Sequence, residues 1–178
     1  MMFNKLKFIF ERLFLSPKKA FVKHGGKVGN NTLFYTRDFG SEPYLIRIGN
    51  DCCITKGVRF FTHGGASVLR KEIPDFDVFG KIIVGDNVYI GANSLILPGV
   101  TIDNDVIVAA GSVVTKSIPS GWVVAGNPAT KVSDIKTYRE KNIQYNVSTK
   151  GLSPLEKKSV LLSLDDSKFI SKKYLKET

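Results

Sequence analysis

The sequence predicts a mostly β fold: a parallel β-helix of hexapeptide repeats with short N-terminal and C-terminal helices. Three observations predict it. An aliphatic residue returns at every sixth position through Val84, Ile90, Ile96, Ile102, Val108 and Val114, and the same step links Ile48, Ile54 and Phe60. Glycine or alanine follows that residue at Gly49, Gly85, Gly91 and Ala109. The fourth position after it is small or β-branched at Cys52, Val58, Val88, Ser94, Val100, Val106, Ser112 and Ile118. A unit this short cannot bury its apolar side alone, so repeated units must stack.

In chain order, residues 1–27 read as a helical segment. Phe3, Leu6, Phe10 and Leu13 recur at helical spacing. A second short helix starts at Ser16-Pro17, an N-cap followed by a first-turn proline, and stops at Gly25-Gly26. Residues 28–132 form the repeat domain. Each hexad supplies one short strand, and three hexads close one triangular coil whose aliphatics point inward and stack on the next coil. Parallel stacking lets the backbone groups pair between coils. Corners need small residues or ones that tolerate positive φ, which accounts for the turns at Gly49, Gly85 and Asp103. Val84 to Pro119 is regular; Val28 to Phe34 and Ile48 to Phe60 are imperfect earlier coils; Ser120 to Val132 closes the stack.

The frame breaks between Phe60 and Val84. Gly64, Gly65, Pro74 and Gly80 mark an excursion from the wall, residues 64–80, and loops on rigid scaffolds commonly carry chemistry. Residues 133–178 read as a helical tail: Ser133 caps a charged helix to about Tyr145, and Ser153 to Glu156 is a capping-box start for a helix through Leu164.

No stretch is apolar and long enough to span a bilayer. The two cysteines, Cys52 and Cys53, are adjacent and poorly placed to bridge each other, so a reducing cytoplasm fits. A net charge of +10 favours anionic partners. Clustered basic and aromatic motifs for nucleic acid are missing. The basic ends suit either capping and partner packing or a peripheral membrane contact at the inner face.

The block "VGDNVYIGANSLILPGVTIDNDVIVAAGSVVTKSIPSGWVVAGNPATKV", from Val84 to Val132, resembles the hexapeptide-repeat acyltransferases. The likeness is to the maltose/galactoside O-acetyltransferase branch and its relatives in capsular and O-antigen polysaccharide assembly. It implies a left-handed winding, which general handedness rules do not predict, and a homotrimer with active sites between neighbouring β-helices. It also implies an acetyl-CoA-dependent O-acetyltransferase acting on a sugar or glycan hydroxyl, with no metal required. An amino sugar, serine or an antibiotic hydroxyl are alternative acceptors, and a noncatalytic scaffold is the alternative to an enzyme. A γ-class carbonic anhydrase of like architecture needs three histidines per zinc; this chain has two.

Acetyl transfer needs a base that takes the hydroxyl proton, and a neutral imidazole suits it. His24 falls at a helix end. His63, where the wall meets the excursion, matches the family's catalytic histidine. Glu72, Asp75, Asp77 or a backbone carbonyl are candidates to orient it. The resemblance assigns the oxyanion donor to the backbone N–H of Ala92. It brings the pantetheine arm of CoA to Ala110 with Tyr89 beside it, and the adenosine phosphates near Thr115, Lys116 and Lys131. Each lysine also reads as a solvated corner charge. Asn87 is read both as an acceptor contact and as a plain corner asparagine.

Overall fold

The computed structural model describes residues 14–174; the helical spacing expected over residues 3–14 falls almost wholly outside them. The chain divides into one unit that reaches Ile135 and another that begins at Lys136.

The first unit is mostly β, with parallel ladders on three faces. Helix α1 (Pro17–Lys23) opens it, with the Ser16 hydroxyl accepting from the Lys19 N–H and Gly25 ending it at φ 93°. Strands then visit the faces in turn. Face 1 stacks β1 (Lys27–Val28), β3 (Ile46–Ile48), β6 (Ile82–Val84) and β9 (Thr101–Ile102). Face 2 stacks β2 (Leu33–Phe34), β4 (Cys53–Ile54), β7 (Tyr89–Ile90), β10 (Ile107–Val108) and β12 (Trp122–Gly126). Face 3 stacks β5 (Arg59–Phe60), β8 (Leu95–Ile96) and β11 (Val113–Val114). The register follows the sequence period: Val84 pairs with Ile102, Ile90 with Val108 and Ile96 with Val114.

The hexad aliphatics Ile48, Ile54, Val84, Ile90, Ile96, Ile102, Val108 and Val114, and the aromatic Phe60 in the same frame, are all buried, and so are all eight residues named four positions later. Two of these eight are serines, and their hydroxyls find carbonyls: Ser94 donates to Gly91 and Ala109, and Ser112 to Ala109. A strand of two residues buries little by itself, so the core exists only as a stack. Ile96→Ala in the middle of face 3 is expected to cost about 2–5 kcal/mol, the range for deleting a fully buried isoleucine; a denaturant titration reads it.

The corner glycines act differently from the sequence expectation. Gly49 and Gly85 do not supply the positive φ; Asp51, Asn87 and Asp105, two positions after the predicted turn residues, do so at φ 54°, 54° and 57°. A Cβ on Gly49 would strike Gly85 and Asp86, and one on Gly85 would strike Asn104. These glycines are needed because successive coils approach closely.

The open start of the prism is covered by aromatics. Phe21 of α1 stacks on Phe34 at 4.8 Å and meets Phe39 edge-on at 5.4 Å. At the far end β12 turns back antiparallel into β13 (Ala129–Asp134), whose last residues pair as far as Trp122. Ser133 is therefore a strand residue opposite Val123, and not the helix cap expected of it.

The second unit carries most of α2 (Ile135–Asn142) and all of α3 (Pro154–Leu162). The capping box at α3 forms: the Ser153 N–H donates to Glu156 at 2.8 Å, and the Glu156 N–H to the Ser153 hydroxyl at 3.3 Å. None of the described residues from 136 to 174 is buried.

Candidate active site

The repeat is least regular where it turns from face 3 back to face 1. In the first coil, Asp38 to Ile48 spans three more residues than the equivalent Leu95 to Ile102, and in the next the excursion interrupts the corner. The excursion is pinned at its neck: His63 bridges Phe79 antiparallel, and the Gly80 N–H donates to the Thr62 carbonyl at 2.8 Å. Within it Gly65 turns at φ 75° into a 3-10 turn, Ala66–Val68.

The two irregular corners meet at His63. The lengthened first corner carries Glu42, whose side chain is 13% exposed, and its Oε2 lies 2.9 Å from His63 Nδ1. The buried Thr62 hydroxyl donates to the same oxygen at 2.6 Å. Burial opposes the charge on Glu42, but hydrogen bonds from Thr62, Ser41 and His63 outweigh it and hold the carboxyl below its usual value of 4.5. An ionised carboxylate only accepts, so Nδ1 carries the proton of this bond and Nε2 is the ring nitrogen left to act as a base.

The carboxylate that meets His63 is thus Glu42, and not Glu72, Asp75 or Asp77, which the sequence offered. Asp77 instead pairs with Arg70 at 3.6 Å, and Glu72 and Asp75 are exposed. Glu42 stabilises the fold above the ordinary carboxylate range, and this contribution disappears as pH falls through its own lowered value. Below about pH 4.5 the wild type should therefore lose more melting temperature than Glu42→Gln; parallel curves would mean that the pairing contributes nothing.

His63 stands at a cavity of about 450 Å³ whose lining includes Ser41, Ser67, Arg70, Asp77 and Phe79. The His63 and Phe79 rings meet edge-on at 5.4 Å. The volume suits a small ligand.

The remaining candidates fall on other edges. Ala92 and Ala110 share the turn from face 2 to face 3, and Tyr89 lies on the strand that leads into it. Tyr89 sits in register between Cys53 and Ile107 on the outer side, and a Cβ on Gly91 would strike Ala109 and Ala110. The Ala92 and Ala110 N–H groups have no acceptor among the described residues, although the Ala92 carbonyl accepts from Gly111 at 2.8 Å. The turn from face 1 to face 2 is the opposite: Asn50, Asp86 and Asn104 side chains satisfy the amides of Asn30, Asn50 and Asp86.

Asn87 lies on that satisfied turn and donates to Asp105 at 2.6 Å. Thr115 and Lys116 are exposed on the same turn as His63, two coils on. Lys131 on β13 holds its ammonium 4.9 Å from the Trp122 ring centre. One chain therefore does not bring Ala92 to His63: they lie on opposite edges of face 3.

The profile of the family "Bacterial transferase hexapeptide (six repeats)" matches residues 81–116. Protein CapG of Staphylococcus aureus is 49% identical over 145 residues, covering 79% of this chain and 84% of that protein. Among solved structures, a maltose O-acetyltransferase from Clostridium difficile 630 superposes with a TM-score of 0.59 at 22% identity, covering 75% of this chain and 85% of that one. A galactoside acetyltransferase in complex with coenzyme A superposes with a TM-score of 0.59 at 23% identity, covering 78% and 82%.

Proposed function

The chain belongs to the bacterial hexapeptide-repeat transferases, and we propose that it is an acetyl-CoA-dependent O-acetyltransferase for a sugar hydroxyl in surface-polysaccharide assembly, working in the cytoplasm as a homotrimer of left-handed parallel β-helices. The observation that carries this reading is the His63–Glu42 pair beside an open cavity. A carboxylate on Nδ1 fixes the tautomer and offsets the imidazolium that forms when Nε2 takes a proton. The named sugar acetyltransferases of the same fold, one of them bound to coenzyme A, support the acceptor and donor classes.

In this reading Nε2 of His63 takes the acceptor's hydroxyl proton as the oxygen bonds to the acetyl carbonyl carbon. The carbonyl electron pair moves to oxygen, held by the Ala92 N–H. On collapse the C–S bond breaks, and the CoA thiolate receives the proton from His63. The separation of Ala92 from His63 within one chain supports a site shared between copies. The exposed apolar residues Val68, Leu69, Ile73 and Val78 of the excursion support burial against a neighbour.

The test is thiol release from acetyl-CoA with a panel of glycosides, with sedimentation of the same sample. A trimer that releases CoA in a sugar-dependent way is expected. A fully active monomer, or a chain that does not bind acetyl-CoA, would overturn the reading.

A further inference from the structure

The excursion holds polar and apolar groups that acetyl transfer itself does not use. Arg70 and Asp77 stand 3.6 Å apart, each about half-exposed. The Arg70 Nε–H donates to the Phe76 carbonyl at 3.1 Å, which leaves the outer edge of the guanidinium unengaged by that bond. Asp77 Oδ1 accepts from the Val78 N–H at 3.1 Å, and its other oxygen faces Arg70. The Phe79 ring, 52% exposed, lines the same cavity against His63.

Guanidinium only donates and carboxylate only accepts, whereas a hydroxyl does both. A side-by-side donor and acceptor therefore complement two neighbouring hydroxyls, and an exposed aromatic face suits the C–H side of a pyranose. Besides the His63 base, the charged groups lining the cavity are Glu42, Asp77 and Arg70. They sum to a slight negative, which disfavours an anionic acceptor and offers nothing to a carboxylate that Asp77 does not already hold.

We propose that Arg70, Asp77 and Phe79 form the acceptor subsite, in which the ion pair holds a vicinal diol of a neutral pyranose on the Phe79 ring and so presents a hydroxyl to His63 Nε2. This rests on the acetyl-transfer reading. The bond changes are those given above, with the pyranose oxygen as the nucleophile.

The experiment measures CoA thiol release by the full chain with acetyl-CoA and water alone. It then repeats the measurement with methyl glucoside, methyl mannoside, cyclohexanol as a mono-ol, and glucuronate. The neutral glycosides are expected to accelerate release at least tenfold over the mono-ol and over glucuronate. Phe79→Ala and Arg70→Met are each expected to raise the glycoside KM tenfold or more with a smaller change in kcat, and Phe79→Trp to restore KM to within threefold of wild type.

Wild-type KM in both Phe79→Ala and Arg70→Met, equal use of the mono-ol, faster transfer to glucuronate, or no acceleration by either glycoside overturns the subsite while leaving acetyl transfer standing. A chain that releases no CoA with any acceptor, water included, overturns the acetyl-transfer reading beneath it.

Discussion

Replacing His63 by alanine lowers turnover by about 10²–10⁴-fold, the contribution of a positioned general base. The side chain is 43% exposed and packs against Phe79 instead of the stacked core. Its loss removes no buried aliphatic contact, so melting temperature and CoA affinity should stay near wild type. The variant also leaves Glu42 with the Thr62 hydroxyl, a partner that keeps the largely buried carboxylate from standing alone. Single-turnover assays separate the chemical step from binding. Turnover equal to wild type would take His63 out of the mechanism, and a large fall in melting temperature would make it a structural residue instead.

Ala92→Pro should cost about 10²–10³-fold in kcat, because it deletes one preorganised N–H donor. The ladder loses no bond, since that N–H has no acceptor among the described residues; Ala92→Ser keeps the donor and should stay within a few-fold of wild type. A mixing experiment carries the argument further. In a trimer whose sites each combine His63 of one copy with Ala92 of the next, chains bearing His63→Ala and chains bearing Ala92→Pro are inactive separately. After unfolding and refolding in equal amounts, random assortment restores about a quarter of the sites. If mixing restores nothing while both variants fold and assemble, the two groups belong to one chain and the shared site is wrong.

The repeat was legible because its signal is local. Ile90, Ile96 and Val108 sit at a period that places each on the inner side of its own strand, and every coil repeats the same requirement. The four-residue offset to Val88, Ser94 and Val106 was legible for the same reason. The glycines were read less well. Gly49 and Gly85 looked like turn formers, but their role comes from the coil stacked on them, a neighbour remote in sequence. Ser133 looked like a helix cap because the hairpin partner that makes it a strand residue lies ten positions back, at Val123.

Glu42 shows where sequence reading ran out. It stands 21 residues before His63, in the stretch where the hexad frame slips, and neither period nor motif marks it. The available signal was the slip itself: an acidic residue ahead of Pro43 in an overlong corner, one coil below the histidine. The carboxylates nearer in sequence, on the excursion, turn to Arg70 or to solvent.

What the sequence alone determined is the stack of short parallel strands and the histidine at its break, because alternation within a two-residue strand needs no information from elsewhere. What only the tertiary structure decided is which groups meet at that histidine. Corners of unequal length in successive coils bring Glu42, Thr62 and Phe79 to the ring, and those lengths gain meaning only once the coils are in register.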